Sequence, residues 1–191
     1  MPKTKTFLTP AEYAVLGLLS RRPAHGYELQ RQLTGRHGLG LVCPVEPAMV
    51  YAILKSLSGL ELIDGEWDNS TYPPKAIYAT TDTGDAEFQR WLVRPVGRMR
   101  EVRVDFMVKL YFLIEGEESD GAPDRTRARD LIAQQIDACE AYARELELEI
   151  ESIAANSFDA LALGSKLSAA RLTSVWLTDC LRNLAGSRKG G

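Results

Sequence analysis

Residues 46–67 read EPAMVYAILKSLSGLELIDGEW. The stretch opens with the signals of a helix and closes with those of a strand. Pro47 suits a first helical turn, where its missing N–H costs nothing, and Gly59 suits an end. Val50, Ile53, Leu54 and Leu57 recur at spacings of three and four and share one side, with Leu60 close by. At ~100° per residue the other side carries Ala48, Tyr51, Ala52 and Lys55, with Ser58 at its edge. The run LIDGEW then reads as the first strand of a hairpin, KAIYATT (75–81) as the second, and DNSTYPP between them as a polar turn.

The residues before this stretch add two more helices. Thr9 precedes Pro10, and Glu12 stands three residues after Thr9, which is a capping-box pattern. The helix PAEYAVLGLLS stops near RRPAHG. HGYELQRQLTG follows as a short amphipathic helix with Tyr27, Leu29 and Leu33 as expected anchors, and RHGLGLVCPV reads as a loop. After the hairpin, Thr81 or Asp82 starts a helix through Trp91 and Leu92. Three helices followed by a two-stranded hairpin are the plan of a winged helix-turn-helix.

The boundary falls at RPVGR (94–98), where Pro and Gly interrupt the pattern. Beyond it the chain reads as helical throughout. REVRVDFMVKLYFLIEG (100–116) is expected to be one helix with a wide apolar band, and EGEESDGAP a loop. A long helix is expected from Pro123 to about Asn156. In it Ile132, Ile136, Cys139, Ala143, Leu146, Ile150 and Ile153 alternate spacings of four and three, the repeat of a helix-pairing seam. A last helix is expected from about Leu167 to Leu184. The fold class is therefore mostly α, with an N-terminal winged helix-turn-helix (1–94) and a C-terminal all-helical dimerisation domain (95–191). A lone helix-turn-helix makes few contacts, so a seam that pairs two copies is the natural complement. The bland alternative is that the seam packs only inside its own chain, with the last helix covering part of it.

The 191 residues suffice for a real core, and the net charge of -3 does not advertise a polyanion partner. Residues 1–94 hold ten Lys/Arg and ten Asp/Glu, and residues 95–191 hold thirteen and sixteen. Any grip on nucleic acid must then come from a local patch in the first half. Three distant cysteines, Cys43, Cys139 and Cys180, point to reduced thiols in a cytoplasmic protein. No apolar run reaches the length of a membrane span, and the N-terminus has no apolar segment of a secretory signal.

Catalysis has little support in the sequence. His25 stands at a helix start, where capping explains it, and His37 lies in a loop. No metal-ligand spacing, nucleophile elbow or phosphate loop occurs, so neither a metal nor a cofactor is expected. The helix at 47–59 suggests a different use. A major groove admits one α-helix, and two alanines on its outer face allow close approach and contact with thymine methyls. Tyr51 can donate to a phosphate, and Lys55 can pair with a phosphate or a guanine edge. Lys75, just after YPP, is placed for a wing to reach the neighbouring backbone. The competing readings are a core helix with an ordinary solvent face and a winged helix that binds only protein.

The runs AVLGLLSRRPAHGYELQRQL, VYAILKSLSGLELIDGEW and KAIYATTDTGDAEF together resemble the PadR family of bacterial transcriptional regulators. VDFMVKLYFL further resembles the start of the C-terminal domain in its longer, phenolic-acid-repressor-like members. The resemblance implies a homodimeric repressor that binds an inverted-repeat operator in double-stranded DNA and is released by a small effector. It places Tyr51 and Lys55 on the recognition helix, Lys75 on the wing, and Tyr27 where family members touch the backbone or pack. By the same analogy an aromatic acid is the expected effector. Tyr13, Phe106, Tyr111 and Trp176 are candidates to line its site, with Arg98 to meet its carboxylate. The chain departs from the family at Met49 and Ala52 and in having a single basic residue, Lys75, on the wing.

Overall fold

The structure is a computed structural model and describes residues 8–68, 75–97, 99–115 and 124–186. The turn of the hairpin, Arg98 and the expected helix start at Pro123 lie outside the described residues. By its contacts the chain forms two compact units. The first comprises residues 1–93 and 107–122, and the second comprises residues 94–106 and 123–191.

The first unit begins with α1, Pro10–Arg21. Thr9 caps it: the Thr9 hydroxyl accepts from the Glu12 amide at 3.3 Å, and the Glu12 carboxylate accepts from the Thr9 amide at 2.8 Å. Glu12 is only 3% exposed. Its second oxygen accepts from the Ser56 hydroxyl at 2.9 Å, so one buried carboxylate ties the start of α1 to the helix α4, Pro47–Gly59. Between them lie β1 (Ala24–His25), α2 (Gly26–Thr34) and the single turn α3 (Leu39–Val42). The sequence reading made 36–45 a plain loop. The α3 turn inside it is too short to show periodicity.

Val50, Ile53, Leu54 and Leu57 of α4 are at most 5% exposed, as their spacing requires. Each fully buried aliphatic side chain of this kind contributes about 1.5–3 kcal/mol. They join Leu16, Leu19, Leu29 and Leu33 in the core of the unit. Next comes the hairpin of β2 (Ile63–Asp68) and β3 (Lys75–Thr80), in antiparallel register from Ile63 opposite Thr80 to Asp68 opposite Lys75. β1 adds to the far side of β3, giving a three-stranded sheet ordered β1-β3-β2. The helix α5, Asp82–Leu92, is capped by the Thr81 hydroxyl, which accepts from the Gly84 amide at 3.1 Å. A Cβ on Gly84 would stand 2.0 Å from the Leu62 carbonyl oxygen, so only glycine lets α5 start this close to the sheet.

The expected single helix over 100–116 is instead three pieces. A 3₁₀ turn at Met99–Glu101 leads into a π-helical turn at Val102–Phe106, and then into α6, Met107–Ile114. Its apolar band is buried, but Phe106 belongs to the second unit and α6 to the first. Periodicity reports burial without saying which neighbour provides it. Arg21 of α1 secures α6 by donating to the carbonyls of Phe112 and Glu115, its guanidinium 4.8 Å from the Phe112 ring centroid.

The second unit is a helical hairpin of α7, Arg125–Glu151, and α8, Phe158–Gly186. The Asp124 carboxylate caps α7 by accepting from the Arg127 amide at 3.0 Å. α8 starts nine residues before the expected Leu167, because the Ser157 hydroxyl accepts from the Ala160 amide and begins the helix there. The seam residues Ile132, Cys139, Ala143 and Leu146 are buried within this single unit, while Ile136, Ile150 and Ile153 are half-buried. On the facing helix Leu163, Ala170 and Leu177 repeat every seven residues and are also buried.

Loss of the Glu12 carboxylate strands the amide and hydroxyl donors it now satisfies. Glu12→Ala is expected to lower the unfolding free energy by about 1–3 kcal/mol, and Ser56→Ala by about 1 kcal/mol. Urea denaturation checks both. Unchanged stability of Glu12→Ala would remove this carboxylate from the role assigned to it.

Candidate nucleic-acid interface

The outer face of α4 is bare in the first unit. Ala48, Met49, Tyr51, Ala52 and Lys55 are all exposed, with Met49 and Tyr51 each at 54%. Nothing among the described residues of the first unit covers this side of the helix. At its start Pro47 occupies the first turn, Glu46 makes no side-chain cap, and the Met49 amide donates to the Glu46 carbonyl at 2.9 Å.

Tyr51 is held rather than free. Its ring lies on Gly26 at the start of α2, where an added Cβ would come within 2.9 Å of Tyr51 Cε1. Gly26 thus orients the phenol along the surface instead of letting it sweep. Next to Gly26, Tyr27 is 48% exposed, so it is not the core anchor its position in the amphipathic pattern suggested. Leu29 and Leu33 fill that role alone, each fully buried. Tyr27 instead stacks on His25 with ring centroids 5.5 Å apart, and the Lys75 ammonium lies 4.9 Å from the Tyr27 ring centroid. The ring quadrupole holds the cation near its face, which places the wing's lysine beside α2.

Two features of this surface were not visible in the sequence. One is the strand β1. Its pairing of His25 with Ile77 pins α2 to the wing, but two residues carry no periodic signal. The other is the role of His25. Its ring does not simply cap a helix: Nδ1–H donates to the Ala76 carbonyl at 3.0 Å. The cap itself comes from Glu28, whose carboxylate accepts from the His25 amide at 2.8 Å. The pattern H-x-x-E at 25–28 carried that part of the signal. The structure thus gathers Tyr51, Tyr27 and Lys75 with His25 on one surface, next to Ala48, Ala52 and Lys55.

The expected effector residues are distributed over both units. In the first unit Tyr13 is 5% exposed and stacks on Trp91 at 4.1 Å, its hydroxyl donating to Glu87 at 2.8 Å. Trp91, Phe88, Phe112 and Tyr111 continue the contact ring to ring. Lys109, 3% exposed, donates to the Trp91 carbonyl at 2.7 Å and lies 4.5 Å from that ring's centroid. This is a packed aromatic core. In the second unit Phe106 is fully buried, with its edge on Trp176 at 6.4 Å. Arg98 lies outside the described residues. Among the described residues no group of His, Cys, Asp and Glu is placed to hold a metal ion, and no helix is long and apolar enough to cross a membrane.

The stretch from α1 to α5, with the exposed recognition-type helix in its middle, matches a known family over residues 15–90: the Transcriptional regulator PadR-like family. Over that stretch this chain is similar to the PadR-like transcriptional regulators. The curated relative "Negative transcriptional regulator PadR" of Bacillus subtilis (strain 168) is 27% identical over 147 residues, 76% of this chain and 76% of that protein. The crystal structure of Bacillus subtilis PadR in complex with operator DNA aligns with 93% of this chain and 99% of its own, at 26% identity and a TM-score of 0.45. The crystal structure of the same protein with p-coumaric acid covers the same shares at 24% identity and a TM-score of 0.41. The winged-helix reading of the sequence agrees with the fold, which is mostly helical with a small three-stranded wing sheet.

The three thiols differ in access. Burial pushes the Cys139 thiol up, reinforced by the Glu140 charge and opposed by a hydrogen bond from Gln135. Burial also raises the half-buried Cys180, with Asp179 adding to it. Because the folded state holds both thiols neutral, their contribution to stability is intact below about pH 9 and is lost as the pH rises above it. Titration of the native protein at pH 8 with a disulfide reagent is expected to modify Cys180 first. Cys43 and Cys139, at 8% and 0% exposure, should react only on unfolding. Equal rates for all three would contradict the burial of Cys139.

Proposed function

We propose that this chain is a cytoplasmic, homodimeric repressor that reads an inverted-repeat operator and is released by a small aromatic effector. The exposed face of α4 carries the reading. It combines Ala48 and Ala52, small enough for close approach to base edges, with Tyr51 and Lys55 as phosphate or base partners. Lys75 and Tyr27 supply backbone contacts beside it. The name of the Bacillus subtilis relative, a negative regulator, supports repression over activation. The effector class is carried over from the p-coumaric acid bound by that same relative.

Dimerisation is the second element of the proposal. The seam of α7 is largely occupied within its own chain, leaving Ile136, Ile150 and Ile153 half-open. The outer face of α8 offers a larger unpartnered surface. Phe158, Leu161, Leu172, Val175 and Trp176 are 81%, 71%, 71%, 59% and 38% exposed. At helical spacing they lie opposite the buried Leu163, Ala170 and Leu177, with Ser165, Ser168 and Ala169 among them. An apolar stripe of this length on a regulator that must present two recognition helices is best met by a second copy.

Binding to operator duplex selected from random DNA tests the first element. Lys55→Ala is expected to weaken it by about 1–3 kcal/mol. Lys75→Ala should lower the slope of log K against log salt by about one without shifting thermal unfolding. Wild-type affinity and slope in both variants would leave the α4 reading without support. For the second element, Leu172→Asp with Val175→Asp should convert dimers to monomers in sedimentation. A dimer that survives this change must be paired through another face.

A further inference from the structure

Between Pro47 and Gly59, α4 carries no Arg, Asn, Gln, Asp or Glu. Those side chains read guanine, adenine and cytosine through hydrogen bonds in the major groove. Lys55 and Ser58 remain on the exposed side. The first is a cation that serves a phosphate as readily as a guanine, and the second is a hydroxyl that suits several bases. Thymine is the base whose mark in that groove is apolar, its C5 methyl. We propose that thymine marks the half-site this helix reads, and that Met49 is the residue that recognises its methyl. The proposal rests on the reading of α4 as the DNA-facing helix and names the base chemistry that the helix selects.

Met49 is 54% exposed, and the core does not need it. Val50, Ile53, Leu54 and Leu57 complete the packing face of α4 at no more than 5% exposure each. A single apolar side chain in water is ordinary by itself. Its place on the helix is what decides. At ~100° per residue, Ala48 and Ala52 lie about 40° apart and form the middle of the exposed side. Met49 and Tyr51 then stand about 80° to either side of that line. Tyr51 is on the flank toward α2, because its ring lies against Gly26, where an added Cβ would come within 2.9 Å of it. Met49 is on the opposite flank. With alanines in the middle the backbone approaches the base edges closely, and the longer Met49 side chain reaches the bases beside them.

The position along the axis points the same way. Met49 stands in the first turn, two residues after Pro47. The N-terminal residues of a helix laid in the major groove are the ones that meet base edges. Glu46, exposed just before the helix, repels phosphate at that end and favours bases over backbone there. Methionine also suits the contact. It is unbranched and flexible, with a polarisable sulfur, and so adapts its shape to a methyl group. Cytosine presents an amino donor in place of the methyl, and a thioether is only a weak acceptor for it. One apolar contact thus separates the two pyrimidines.

The test uses the full chain and an operator duplex selected from random DNA. Each half-site thymine is replaced singly by deoxyuridine, which pairs identically and lacks only the methyl. Binding is followed by fluorescence anisotropy at fixed salt. In the wild type, one uracil per half-site should weaken binding by about fourfold, the weight of one buried methyl group. Met49→Ala should weaken binding to the thymine duplex by a similar factor and should bind thymine and uracil duplexes equally. Met49 is exposed, so the variant is not expected to disturb folding. If the uracil penalty persists in full in Met49→Ala, another residue reads the methyl and the assignment to Met49 falls. If the selected half-sites lack thymine, or no uracil substitution alters wild-type binding, methyl recognition is overturned while DNA binding by α4 stands. If no duplex is enriched by selection, the DNA-facing reading of α4 fails and this assignment fails with it.

Discussion

A single buried carboxylate ties together the helices of the winged-helix unit. Glu12 accepts from the Thr9 amide and hydroxyl and from the Ser56 hydroxyl, which satisfies the start of α1 and anchors α4 with the same group. An ionised carboxylate is costly to bury unless its oxygens are fully engaged. Here that requirement becomes a positional constraint. α4 sits against α1 in the register that brings Ser56 to Glu12, and in that register Val50, Ile53, Leu54 and Leu57 face the core. Ala48, Tyr51, Ala52 and Lys55 then have no choice but to face outward. The exposed face of α4 is the complement of its packing face.

The rest of that surface depends on absences of side-chain bulk. Gly26 has no Cβ, and so the Tyr51 ring can lie against the start of α2. Gly84 has none either, so α5 can close on Leu62 and hold the sheet against the helices. β1 then needs only two residues to bring His25 and Tyr27 beside Lys75. The Lys75 ammonium lies over an aromatic face, and a ring attracts a cation without cancelling its charge.

The second unit divides its labour between two faces of one hairpin. The inner faces of α7 and α8 supply the core, with Gln135 as a polar staple to the stretch that enters from the first unit. The outer face of α8 carries large apolar residues that its own unit does not cover. A helical hairpin this thin has little interior, and that stripe is where the proposed second copy would add buried area.

Much of this was legible in the sequence. The caps at Thr9 and Thr81, the buried face of α4, the two long wing strands and the outward Tyr51 and Lys55 all follow from local rules: period, capping chemistry, and proline and glycine placement. Those rules act within a few residues, and the sequence states them directly. Other features needed the folded chain. Tyr27 fits an amphipathic pattern yet points outward, because the neighbouring strand β1 and Lys75 give it a better contact than the core does. The band at 100–116 is buried as expected but serves two units, with irregular turns between them. The stripe on α7 is apolar as expected, and in this structure its own α8 covers most of it. The physical reason is common to all three. Hydrophobic spacing tells which side of an element leaves water, and only the tertiary arrangement tells what that side meets.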